Sequence, residues 1–187
     1  TPRHGAAAGV IDGKLYVATG AGVAALEIYD PVTDTWATGA PIPTTRSYAG
    51  AGVIAGQLYV FGGSTTTLAP LEIYDPATSM WTTGPSLPMQ RTGVSVAVLD
   101  GKLYAVGGYD GTYQTMLDIY DPVAGTWSSG PSIPKPVAGR VMIAAGGKLY
   151  VAGTTSSDTM LVYDPTLAVW TSGLPVPTPH TSSAGTA

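Results

Sequence analysis

Tyr74-Asp75-Pro76-Ala77-Thr78-Ser79-Met80-Trp81 is the stretch on which the fold turns. Its frame, Tyr-Asp-Pro with a Trp six positions beyond the aspartate, returns at Tyr29-Asp30-Pro31 with Trp36, at Tyr120-Asp121-Pro122 with Trp127 and at Tyr163-Asp164-Pro165 with Trp170. These four account for every tryptophan in the 187-residue chain, so the frame is a tandem repeat rather than aromatic richness. Outward from it, a Gly-x-Leu-Tyr motif begins at Gly13, Gly56, Gly101 and Gly147. Successive tryptophans lie 45, 46 and 43 residues apart, and the step from Trp to the next Gly-x-Leu-Tyr is 20 each time. The two tyrosine landmarks within a repeat are separated by 13, 15, 16 and 13 residues. All length variation therefore falls in one loop per repeat.

Each repeat predicts four short strands. The first is small and apolar, at 5–11, 49–54, 93–99 and 140–145, and is followed by a tight turn. Asp12-Gly13 and Asp100-Gly101 are strong hairpin signals; Ala55-Gly56 and Gly146-Gly147 are weaker ones. The second strand, such as 58–61, runs into the variable loop. The third, such as 71–74, stops at Asp-Pro, where proline fixes φ and removes a donor. The fourth carries the Trp and ends in a proline cluster such as Pro41-Ile42-Pro43. No stretch shows a helical period. Small side chains on the first strand and the bulky Trp on the last fit sheets packed radially, with little room at the axis and more at the rim. The fold expected is all-β and of propeller type.

The order of arginine, small apolar strand, Gly-x-Leu-Tyr, Gly-Gly, Tyr-Asp-Pro and Trp resembles the kelch repeat. The second and third repeats carry it most fully, with Arg46, Gly62-Gly63, Arg91 and Gly107-Gly108 in place. The first has Thr19-Gly20 and the fourth Gly153-Thr154, and Val137 stands where the fourth repeat's arginine would fall. The resemblance implies a kelch-type β-propeller with four blades of four antiparallel strands per chain, closed alone or within a larger or oligomeric ring. We expect one module over 1–187, with repeats at about 1–43, 44–88, 89–134 and 135–177. Residues 178–187 read as a fifth repeat's start or a closing strand, with His180 aligned on Arg46. The opening Thr1-Pro2-Arg3-His4 lacks an initiator Met and a signal-peptide core, which reads as processing or excision.

Composition narrows the function. A net charge of −4 and a pI near 4.8 argue against nucleic acid, which calls for a basic stripe. No apolar run reaches the length of a membrane span. The absence of cysteine excludes disulfides, thiol catalysis and cysteine-held metal. The compartment stays open, with an extracellular or cell-surface setting favoured. Two histidines, His4 and His180, are too few for a three-histidine zinc site, and no nucleophile elbow is present. We expect no cofactor and no metal.

The twenty charged side chains can be taken in turn. Asp30, Asp75, Asp121 and Asp164 are expected to cap backbone N–H groups in their turns. Asp12 and Asp100 form hairpin turns, with Lys14, Lys102 and Lys148 as solvated neighbours. Glu27, Glu72 and Asp118 share one third-strand position and are expected to face solvent; Asp34 precedes Trp36, Asp110 and Asp158 lie in the variable loops of the third and fourth repeats, and Lys135 remains over with the arginines. Arg3, Arg46 and Arg91 precede the first strands and, with Arg140, would form a positive ring suited to a carboxylate or acidic peptide; the alternative is that each ties its blade to the next. The longest variable loop, Tyr109-Asp110-Gly111-Thr112-Tyr113-Gln114, carries two aromatics, a composition common in recognition loops, unless Tyr109 packs on its neighbour. The loops at 64–68 and 154–159 read as plain solvated connections.

The functional expectation is a non-catalytic binding or protein-interaction scaffold. Its partners would be a protein or peptide, or a glycan, met by Arg3, Arg46, Arg91, Arg140, Tyr109, Asp110, Tyr113 and His180. One alternative is a structural or self-assembling segment, a homo-oligomer closing the propeller. A second is a sugar-modifying propeller enzyme.

Overall fold

The computed structural model describes residues 1–63, 68–154, 158–175 and 177. His180 and the remainder of the expected fifth repeat lie outside them. Among the described residues sixteen strands form four antiparallel sheets, each built from four consecutive strands in chain order. Blade 1 holds β1 (Ala7–Ile11), β2 (Lys14–Ala18), β3 (Leu26–Asp30) and β4 (Thr35–Gly39); blade 2 holds β5 (Gly50–Ile54), β6 (Gln57–Phe61), β7 (Leu71–Asp75) and β8 (Met80–Gly84). Blade 3 holds β9 (Ser95–Leu99), β10 (Lys102–Val106), β11 (Leu117–Asp121) and β12 (Thr126–Gly130); blade 4 holds β13 (Val141–Ala145), β14 (Lys148–Ala152), β15 (Met160–Asp164) and β16 (Val169–Ser172). The described residues contain no helix.

The turns show why these segments pair. Asp12-Gly13, Ala55-Gly56, Asp100-Gly101 and Gly146-Gly147 all take positive φ at both positions, the twist that suits a two-residue hairpin. Register then follows from the turn. Leu15 faces Tyr29, which faces Trp36, and the same row recurs as Leu58–Tyr74–Trp81, Leu103–Tyr120–Trp127 and Leu149–Tyr163–Trp170. Tyr and Trp rings within each row lie 5.0–5.2 Å apart and tilted.

The chain divides into two compact units, Thr1–Gln90 with blades 1 and 2, and Arg91–Ala187 with blades 3 and 4. In the first unit blade 2 lays Leu58, Val60 and Tyr74 against Tyr16, Ala18 and Leu26 of blade 1. Trp81 closes that seam by donating from Nε1 to the Ala40 carbonyl at 2.8 Å. The second unit repeats the arrangement. Leu149, Val151 and Tyr163 of blade 4 pack on Tyr104, Val106 and Leu117 of blade 3, and Trp170 donates to the Pro131 carbonyl at 2.8 Å. The seam is tight at Gly107, where a Cβ would stand 2.1 Å from the Val137 carbonyl oxygen. Its φ of 62° also suits glycine.

Candidate functional site

The arginines come first, because a positive ring needs them exposed. Arg46 and Arg91 are each 1% exposed. Arg46 is enclosed with Glu72: Nη2 donates to the Glu72 carboxylate and to the Pro70 carbonyl, and Nη1 to the Gly62 carbonyl at 3.2 Å. Glu72 also accepts from the Thr44 N–H at 2.9 Å. Burial lowers the Arg46 pKa and Glu72 opposes that shift. Arg3 repeats the constellation in blade 1, donating to the carbonyls of Thr19 and Ala25 and to Glu27 at 2.6 Å. Arg91 pairs with Asp118 in blade 3. Arg140 is half-buried and donates to the Thr154 carbonyl at 2.9 Å.

Two expectations are thereby corrected. The guanidinium groups of Arg46 and Arg91 face the interior, not an open mouth. Glu72 and Asp118 do not face solvent, and Glu27 is half-buried. The reason is common to both: a guanidinium removed from water must fill its donors with a carboxylate and carbonyls, so both charges are enclosed together. The sequence carried a signal for this pairing. Where the fourth repeat replaces arginine by Val137, it also replaces the acid by Leu161, and both are buried.

Eight of the remaining charges, four turn aspartates, three lysines and Asp34, act at or beside the Tyr-Asp-Pro turns. Asp30, Asp75, Asp121 and Asp164 each accept from the N–H two residues on, at 2.8–3.0 Å. Lys14, Lys102 and Lys148 are not simply solvated: each reaches the other oxygen of Asp30, Asp121 or Asp164 at 2.9–3.0 Å. The lysine hydrogen bond is the largest cause holding those three aspartates below their ordinary pKa. Asp34 accepts from the Tyr29 hydroxyl at 2.6 Å, a role its position before Trp36 did not announce, and raises the tyrosine's pKa.

The blade 3 loop differs in kind. Tyr109 exchanges backbone hydrogen bonds with Thr92, and the Gln114 N–H donates to the Gly108 carbonyl at 2.9 Å. Asp110 Oδ1 gathers Gln114 Nε2 at 2.7 Å together with the N–H and hydroxyl of Thr112. These bonds, the one from Gln114 foremost, lower the Asp110 pKa. Gly111 turns the tip with φ of 113°, a conformation suited to glycine. Tyr109 and Tyr113 meet edge to face at 5.2 Å, yet remain 42% and 56% exposed. Tyr109 thus packs on a neighbour and keeps an accessible ring. The loop is a braced turn that displays two aromatic surfaces to solvent. Among the described residues no group of three metal-ligating side chains comes together.

Residues 29–185 match the family model described as the KLHDC2/KLHL20/DRC7 Kelch-repeats domain. A solved structure titled "Structure of YjhT" aligns with a TM-score of 0.81 at 23% identity, covering 96% of this chain and 67% of that one. That likeness, with the four four-stranded antiparallel sheets, gives the fold as a kelch-type β-propeller.

Proposed function

This chain belongs to the kelch-repeat family, and from that premise we propose that it is a non-catalytic recognition scaffold whose contact surface is the blade 3 loop, with a protein or peptide as partner. The observation that carries this reading is the loop itself. It is the longest of the variable connections, it is braced by Asp110, and it presents Tyr109 and Tyr113 outward. Tyrosines held in place offer large contact area at low cost in conformational entropy. Asp110 adds a fixed carboxylate beside them. Arg3, Arg46 and Arg91 act inside their blades in this reading, and Arg140 braces its own; none contributes directly to the contact. The non-catalytic assignment is supported by how the strand carboxylates are engaged. Glu72 and Asp118 are enclosed with arginine, and three of the four turn aspartates with lysine.

A random-peptide display library selected on the full chain tests this. Enriched peptides should bind the native chain and weaken at least ~10-fold on Tyr113→Ala and Tyr109→Ala, the loss expected of an aromatic anchor. Peptides that bind both variants unchanged would place the contact elsewhere. Ligands found on a glycan array alone, and lost in the same variants, would move the reading to carbohydrate.

A further inference from the structure

Six carboxylates among the described residues are met by a cation: Glu27, Asp30, Glu72, Asp118, Asp121 and Asp164 each pair with an arginine or a lysine. Asp110 has no such pair among them, is exposed, and sits in the loop that displays Tyr109 and Tyr113. Its two oxygens are unequal. Oδ1 accepts from Gln114 Nε2 at 2.7 Å, from the Thr112 hydroxyl at 3.1 Å and from the Thr112 N–H at 3.2 Å, whereas Oδ2 accepts no hydrogen bond among the described residues. One oxygen holds the loop, and the other keeps its full accepting capacity. The donors on Oδ1, Gln114 foremost, keep the group below the ordinary carboxylate range, so it is an anion at neutral pH.

A carboxylate in one short loop with two exposed phenol rings selects by charge. The ring faces carry the negative end of the aromatic quadrupole, so the tyrosines and Asp110 alike favour a cation and disfavour an anion. A metal ion needs more ligands than one carboxylate oxygen, and among the described residues no group of three metal-ligating side chains comes together. An ammonium can meet the oxygen, but it is compact and strongly hydrated. A guanidinium meets both features at once, since its flat face stacks on a ring while an N–H at its edge donates to the carboxylate. The chain's net charge of −4 adds a longer-range attraction for a basic segment.

We propose that the blade 3 loop recognises an arginine side chain of its protein or peptide partner, with the guanidinium on the exposed tyrosine rings and against Asp110 Oδ2. This rests on the loop being the contact surface, and it adds what that surface selects. The parts are in place before a partner arrives: Tyr109 exchanges backbone hydrogen bonds with Thr92, and the Gln114 N–H donates to the Gly108 carbonyl. A site already ordered loses little conformational freedom when the ligand docks. The choice of partner is the reverse of the one a positive ring would make. Arg46 and Arg91 are enclosed with their acids, while the charge this loop leaves accessible is an acid, so the partner is basic.

The probes are the peptides that a random display library yields on the full chain and that lose affinity on Tyr113→Ala. Their shared motif should contain an arginine. Replacing it by citrulline, which keeps the planar group and removes the charge, should weaken binding about 10-fold in fluorescence anisotropy. Asp110→Asn should cost the arginine peptide a similar factor, because asparagine keeps an oxygen for Gln114 and Thr112 and replaces only the one that the guanidinium uses. The same variant should leave the citrulline peptide within about twofold, which a merely loosened loop would not do. Tyr113-dependent peptides without arginine, or arginine peptides that bind Asp110→Asn as they bind the native chain, would overturn this proposal and leave the loop as the contact surface. A library that yields no Tyr113-dependent peptide would remove both.

Discussion

Blade 2 encloses Arg46 against Glu72 at the place where blade 4 encloses Val137 against Leu161. Both blades keep the same four-stranded sheet and the same outer Tyr–Trp pair, so the scaffold accepts an ion pair or an apolar pair at this point. What it does not show is a mixture. A charge left alone there would keep its desolvation cost and lose the attraction that offsets it. Blade 3 stands between the two. Asp118 is one methylene shorter than Glu72, and Arg91 Nε and Nη1 are buried without a hydrogen-bond partner among the described residues. Arg46, with the longer acid, places its Nη1 on Gly62 and its Nη2 on Pro70 as well.

The sharpest way to break this comparison is to convert blade 2 toward blade 4 in steps. Glu72→Leu alone should cost about 3–5 kcal/mol in urea unfolding, because it strands a buried guanidinium. Adding Arg46→Val should recover most of that loss and bring the double variant within about 1 kcal/mol of the native chain, or above it. A double variant as unstable as the single one would show that the blades are not interchangeable here.

A smaller effect is expected from converting blade 3 toward blade 2. Asp118→Glu should stabilise the chain by about 1 kcal/mol, the value of satisfying a buried donor, read as a raised urea midpoint at unchanged slope. A loss of stability instead would mean that the pocket cannot take the added methylene.

The smallest effect separates blades 1, 3 and 4, which have a lysine on the turn aspartate, from blade 2, which has Gln57 at that position. Asp30, Asp121 and Asp164 lie below their ordinary value of 3.8 in the folded chain. A depressed folded pKa contributes stability that is present above the unfolded value and is lost as pH falls through the folded one. Replacing Lys14, Lys102 and Lys148 by Met should therefore flatten the fall of the urea midpoint below about pH 4. The difference should shrink in high salt, since these pairs are exposed. A profile that keeps its native steepness would remove the lysines from the acid response.

Much of the fold was legible before any coordinates. The Asp-Gly turns fix hairpin register locally, and the fixed steps around each Trp fix the strand count. The candidate surface was half legible. Tyr109 and Tyr113 stood out as aromatics in the loop of greatest length, but nothing in the sequence said that Asp110 would brace them. The positive-ring reading of Arg46 and Arg91 and the solvent-facing reading of their acids failed because alternation along β7 assigns Glu72 to a face without saying whether another sheet covers it. An acid between Leu71 and Ile73 then looks solvated. Comparing all four repeats would have exposed the error, since Val137 and Leu161 change together.

The sequence alone determined four sheets of four antiparallel strands and one variable loop in each, because turns and hairpin pairing act over a few residues and recur with the repeat. Only the tertiary structure decided which faces are covered, and with them which charges are interior and which aromatics remain exposed. Burial is set by the neighbouring sheet, so equivalent residues such as Trp36 and Trp81 meet different surroundings.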